Sequence, residues 1–387
     1  MRVLRGLGAL GLGVFVLVAP SCAAEAEAPS STATPGIDAD ARGGSDAGGA
    51  VDGRATDGDG AAESDLPCLG DEAPIALAGG LPYVTVTIGE APAYDAPFLL
   101  DYGTNSSTID LTKFTPPGPA ATGCDPTLLG QLCGFSRFDF FGPWGVVSLY
   151  TDAHGTHGGV AQAGILGTDF TSKVAVSLDY ARAKVRRADR ATFCTPADFA
   201  AAGMAPLSAA GFFTNDVAKL RPLSDVIAGS APSITVANVP TIPLRIAGVT
   251  AHAQLDTGFD DALVPFSVNV NEAFLEALTV SAPGAVVRDA AKDLSLSTCA
   301  GVSEPVEAYA LASGAGVELV GEDGGAVRTF AGATLFVKRT PEGARRCGGI
   351  GTWTVAAAQV AASFYVALGL MAFDPFGSRV WVGRASL

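Results

Sequence analysis

One pattern occurs twice in this chain, and few folds accommodate it. An apolar run ends in an Asp-x-Gly turn at Phe98-Leu99-Leu100-Asp101-Tyr102-Gly103-Thr104, and again at Ala253-Gln254-Leu255-Asp256-Thr257-Gly258. An aspartate at the end of a buried strand, with glycine letting the backbone turn sharply behind it, is a costly arrangement for a carboxylate without a task. Asp-x-Gly by itself says little in a chain this rich in both residues. It recurs at Asp46-Ala47-Gly48 and Asp323-Gly324-Gly325, where no apolar strand precedes it.

The stronger constraint is a second repeated element downstream of each turn. The first copy runs Gly164-Ile165-Leu166-Gly167-Thr168-Asp169-Phe170, then Val174 to Tyr180, and on to Lys184-Val185. The second runs Val360-Ala361-Ala362-Ser363-Phe364-Tyr365, then Leu370 to Pro375, and on to Arg379-Val380. A gapless alignment sets Ile165 against Val360 and Asp179 against Asp374. A duplicated half, with one carboxylate turn in each copy, implies that the two turns share a site.

The rest of the chain frames that site. With 387 residues and 48% hydrophobic content, two lobes of about 150 residues are affordable. Runs such as Tyr83-Val84-Thr85-Val86-Thr87-Ile88 alternate β-branched and aromatic side chains, and Gly and Pro break the chain at short intervals, which predicts a mainly β protein. A net charge of −15 without a Lys/Arg stripe excludes nucleic acid as a partner. At the N-terminus Arg2, Arg5 and the apolar residues 7–18 read as an export signal too short to span a bilayer comfortably. Residues 1–22 are therefore a signal segment, in which Cys22 is either acylated, as in a lipoprotein, or lies near an ordinary cleavage site. A lipid there would be the only membrane attachment. Residues 23–64 are Ala, Gly, Asp, Glu, Ser, Thr and Pro almost throughout, a composition suited to a disordered spacer.

At the repeated turns the chain resembles the aspartic proteases, specifically the bilobal pepsin-like arrangement of two retropepsin-like halves, over roughly residues 75–386. The resemblance implies an all-β fold of two pseudo-twofold-related barrel-like lobes: an N-terminal lobe over 65–200, a connection over 201–235 and a C-terminal lobe over 236–387. It implies Asp101 and Asp256 as the catalytic pair, with Tyr102, Gly103, Thr104, Thr257 and Gly258 shaping the turns and Ile165-Leu166-Gly167 passing beside the first. A short helix over 271–278, capped by Asn271, would follow the second turn. Trp144 and Tyr150 fall where such enzymes carry a flap over the cleft. The substrate would be an extended polypeptide cleaved by a monomer, with no cofactor.

Three positions depart from the family pattern. Tyr102 stands where the family has Thr or Ser, whose hydroxyl bonds across to the opposite turn; Thr257 keeps that group. Phe259 replaces a hydroxyl residue that holds a carboxylate oxygen, a role Thr104 retains in the first half. Ala362 takes the place of the supporting glycine. These departures leave a second reading, a catalytically silent relative that binds a peptide, glycan or protein in the same cleft.

Setting Cys22 aside leaves six cysteines, an even number suited to disulfides in an exported chain. Lobe membership narrows the pairing to Cys68–Cys194, Cys124–Cys133 and Cys299–Cys347. No Cys-x-x-Cys occurs, and His154-Gly155-Thr156-His157, with His252 the one other histidine, reads as a solvated loop without a metal.

Overall fold

The computed structural model describes residues 66–142, 144–145, 147–213, 239–297, 302–347 and 349–384. The signal segment, Cys22, the spacer and Cys299, with the expected Cys299–Cys347 bond, lie outside the described residues.

The strand Leu81–Ile88 shows why the chain pleats. Its β-branched and aromatic residues bury Tyr83, Val84, Val86 and Ile88 while Thr85 faces out, the half-buried pattern that strands satisfy best. It pairs antiparallel with Tyr94–Leu100, within an eight-stranded sheet built from residues 76–166. A ten-stranded sheet from residues 241–360 repeats the plan, with Thr241–Ile246 antiparallel to Val249–Leu255. Among the described residues α-helix is confined to four short segments. The longest, Glu272–Ser281, is capped by Asn271 as expected, its side chain accepting from Phe274 N at 3.0 Å.

A third, six-stranded sheet joins the halves. In order it contains Asp71–Pro74, Lys184–Ala188, Ala175–Asp179, Leu370–Asp374, Arg379–Gly383 and Met204–Ser208. Its centre is a pairing of equivalent strands from the two copies, with Val176 opposite Phe373 and Asp179 opposite Leu370. The segment expected as a mere connection therefore opens with a strand of this sheet. The lobes also meet at the turn Gly79-Gly80, where a Cβ on Gly80 would lie 3.3 Å from that of Ala362.

The repeat is present, but its register differs by one residue from the gapless alignment near the turns. Leu100 pairs with Leu166 in the parallel strands of the first lobe, and Leu255 pairs with Val360 in the second. Thr168 N donates to Thr104 O, as Ala362 N donates to Phe259 O. Leu166 thus corresponds to Val360, Gly167 to Ala361 and Ile165 to Gln359. The discrepancy is absorbed between the turns and the shared sheet, where the helix Ala362–Leu368 is longer than its one-turn counterpart Thr168–Thr171. The residue in place of the supporting glycine is Ala361, which begins its helix with backbone angles close to those of Gly167.

Two disulfides are formed as the lobe argument expected, Cys68–Cys194 and Cys124–Cys133, a chemistry that persists in oxidising compartments. No described helix is long and apolar enough to cross a membrane.

Candidate active site

The strands Tyr94–Leu100 and Val249–Leu255 end at Asp101 and Asp256, bringing the two acids together between the lobes. Each turn is folded around its own carboxylate: Gly103 N donates to Asp101 Oδ1 at 2.6 Å, and Gly258 N to Asp256 Oδ1 at 2.9 Å. Each glycine is also packed against the other acid. A Cβ placed on Gly103 would lie 2.2 Å from Asp256 Cγ, and one on Gly258 would lie 2.7 Å from Asp101 Cγ. Only a residue without a side chain fits at either place. The parallel strand Gly164–Leu166 supports the first turn, where Leu166 O accepts from Asp101 N at 3.0 Å.

Thr257 ties the turns to each other. Its hydroxyl donates to Leu100 O at 2.7 Å and accepts from Tyr102 N at 3.0 Å. Tyr102 cannot return these bonds from its own side chain. Its ring leaves the site altogether and lies flat on Phe373 of the shared sheet, 3.7 Å between centroids and 7° from parallel. The phenol is accommodated in the core below the turn, and its backbone still serves the link to Thr257.

Thr104 does not hold Asp101, contrary to expectation. Its hydroxyl turns back on Ser106, 3.4 Å from both the backbone nitrogen and the carbonyl oxygen. Asp101 Oδ2 is buried without a hydrogen-bond partner among the described residues. On the other acid, Phe259 supplies no hydroxyl, but Gln359 Nε2 donates to Asp256 Oδ2. Gln359 was missed in the sequence because the gapless alignment set Val360, instead of Gln359, against Ile165. A polar residue within the apolar run Ala356-Ala357-Ala358-Gln359-Val360 was the available signal.

Asp101 and Asp256 are 1% and 2% exposed. Burial raises both carboxyls above their ordinary value, because a charge is poorly solvated there. After burial, the neighbouring Asp101 charge pushes Asp256 up further. A pair of this kind holds a proton between its members over a range of pH and titrates as a unit.

Trp144 and Tyr150 make their contacts within the first lobe. The Trp144 ring lies 4.1 Å from that of Phe170, beneath the Arg187 guanidinium, and its indole N–H donates to Phe140 O at 2.8 Å. Tyr150 sits on the strand Val147–Thr151 between Thr108 and Leu132. These contacts assign neither side chain to covering the cleft. His154 accounts for itself within the lobe, its Nε2 2.9 Å from Thr108 Oγ1 and its backbone N–H donating to Asp110.

Two β lobes over a shared six-stranded sheet, each ending a central strand in an Asp-x-Gly turn, define the bilobal pepsin-like fold. No family profile and no curated protein matches the chain. Among solved structures it is similar to basic 7S globulin from soybean, at 13% identity and a TM-score of 0.38 over 82% of this chain and 95% of that one. It is also similar to conglutin gamma, a basic 7S globulin from lupine seeds, at 11% identity and a TM-score of 0.40 over 81% and 94%. Neither name is that of an enzyme, and likenesses this loose carry no functional weight.

Proposed function

We propose that this protein is an exported aspartic endopeptidase that hydrolyses extended polypeptides with water activated between Asp101 and Asp256. The reciprocal packing of Gly103 and Gly258 against the opposite carboxylates carries this reading, since it sets the two acids face to face. The ionised acid takes a proton from water as the oxygen attacks the scissile carbonyl, and the protonated acid hydrogen-bonds the carbonyl oxygen as it gains charge. The proton then passes to the leaving nitrogen, and no covalent intermediate forms. One chain supplies both acids, so a monomer suffices, secreted or anchored through Cys22.

A second reading, a silent binding module, draws on Asp101 Oδ2, a buried acceptor that no described side chain or backbone group satisfies. Digestion of a denatured protein at pH 3 to 5, with and without pepstatin, separates the two. The hydrolase reading expects cleavage that pepstatin blocks and that Asp101→Asn or Asp256→Asn lowers by roughly 1,000-fold or more. Cleavage that survives both substitutions rules out the dyad. No cleavage under any condition, with peptide retained in the cleft, favours the binding module.

A further inference from the structure

Counted from the paired positions in the parallel strands, Gln359 holds the place in the second lobe that Ile165 holds in the first. Isoleucine brings only apolar contacts there, whereas glutamine brings an amide next to a carboxylate. Its Nε2 donates to Asp256 Oδ2, the oxygen that Gly258 N does not reach, while Gly258 N holds Oδ1. Its Oε1 accepts from Asn269 Nδ2 at 2.8 Å, and Asn269 is the residue directly opposite on the antiparallel neighbour Ser267–Asn271.

This chain of amides has a direction. Asp256 Oδ2 accepts from the Gln359 nitrogen, so the Gln359 oxygen faces the Asn269 nitrogen, and the Asn269 amide in turn holds Gln359 in that sense. Asn269 is buried between Val268 and Val270, and its own Oδ1 is left unpaired among the described residues. Burying an amide with an unmet acceptor is unfavourable, which sets Asn269 apart from the apolar residues flanking it. Its one visible return is the orientation of Gln359.

We propose that Gln359, turned by Asn269, is a positioning residue that fixes the Asp256 carboxylate and stabilises its charge, a service that Ile165, its counterpart in the first lobe, cannot give Asp101. The proposal rests on the hydrolase reading for its catalytic consequence, but not for its electrostatic one. The titratable groups facing Asp256 are Asp101 from the opposite turn and Tyr365 from the helix Ala362–Leu368. Tyr365 is held neutral by burial throughout the acid range, and its hydroxyl donates to Val360 O at 2.9 Å. Any change in titration on altering Gln359 is therefore a change in the dyad.

The test follows the dyad directly by carbon NMR of labelled aspartate carboxyls in the full chain, beside the pH profile of kcat/KM. Gln359→Ile installs the first-lobe residue, and Asn269→Val removes the orienting amide. Loss of a donor to the ionised form shifts the dyad titration to higher pH, more for Gln359→Ile than for Asn269→Val. The basic limb of the profile moves the same way, and kcat falls roughly tenfold with KM unchanged. If Gln359→Ile does not fold, Asn269→Val decides alone. A dyad that titrates at the wild-type pH in the folded variants overturns the proposal. A shifted titration in a protein that cleaves nothing would retain the positioning role and remove the hydrolase reading.

Discussion

At the scale of single residues, the site depends on two positions where a side chain is missing. Gly103 does not need glycine for its backbone, because its φ is not among the positive ones; it needs glycine because Asp256 fills the space a Cβ would take. Asp256 cannot easily yield, being held on one oxygen by Gly258 N and on the other by Gln359. Gly103→Ala should thus fold yet displace the carboxylate by about an ångström, which costs on the order of 100-fold in rate. The check is kcat beside an unchanged near-ultraviolet circular dichroism spectrum; wild-type kcat would show that the acids do not meet as described. The aspartates and both glycines were legible in the sequence because duplication marks them twice. Tyr102 was legible as a misfit, but its solution was not, since Phe373 lies 271 positions along the chain and sequence spacing gives no sign of the stack.

At the scale of elements, one threonine carries a link that a symmetric pair would divide. Thr257 serves Leu100 O and Tyr102 N, both deep in the interface. Thr257→Val keeps the shape and removes the hydroxyl, leaving one buried acceptor and one buried donor unmet. At about 1–3 kcal/mol for each, the expected loss is about 2–6 kcal/mol, read as a lower denaturation midpoint in urea with an unchanged slope. A loss below about 0.5 kcal/mol would mean that water enters the turns and replaces the hydroxyl. Elements of this kind were readable where a local signal exists. The alternation in Leu81–Ile88 and the cap at Asn271 both predicted what formed. The register of the second copy was not readable, because the extra residue sits in a helix that no turn or proline marks. Thr104 was misassigned for a related reason: its distance from Asp101 in sequence is right, but Ser106, two residues on, competes for its hydroxyl.

For the whole molecule, the two acids act on stability in the opposite sense to the surface carboxylates that are paired with a basic side chain and held low by it. Glu72 beside Lys184 and Arg186, Asp293 beside Arg288 and Glu307 beside Arg339 are held below their ordinary values by those partners. Their contribution is present above the ordinary carboxyl range and is lost as pH falls. Asp101 and Asp256 are raised, chiefly by burial, so the folded chain binds a proton more tightly than the unfolded chain does. Their contribution is complete below the ordinary carboxyl value, near pH 4, and is lost as pH rises through the folded value. Comparing Asp256→Asn with the wild type cancels the surface groups and leaves the dyad. The variant should melt higher than the wild type at pH 7, by roughly 2–4 °C for each kcal/mol relieved, and the advantage should shrink steadily as pH is lowered to 3. Equal melting differences at pH 3 and pH 7 would mean that the acids titrate as ordinary exposed carboxyls. The lobes would then not close around them in solution, and the shared sheet would be joining two halves without joining their turns.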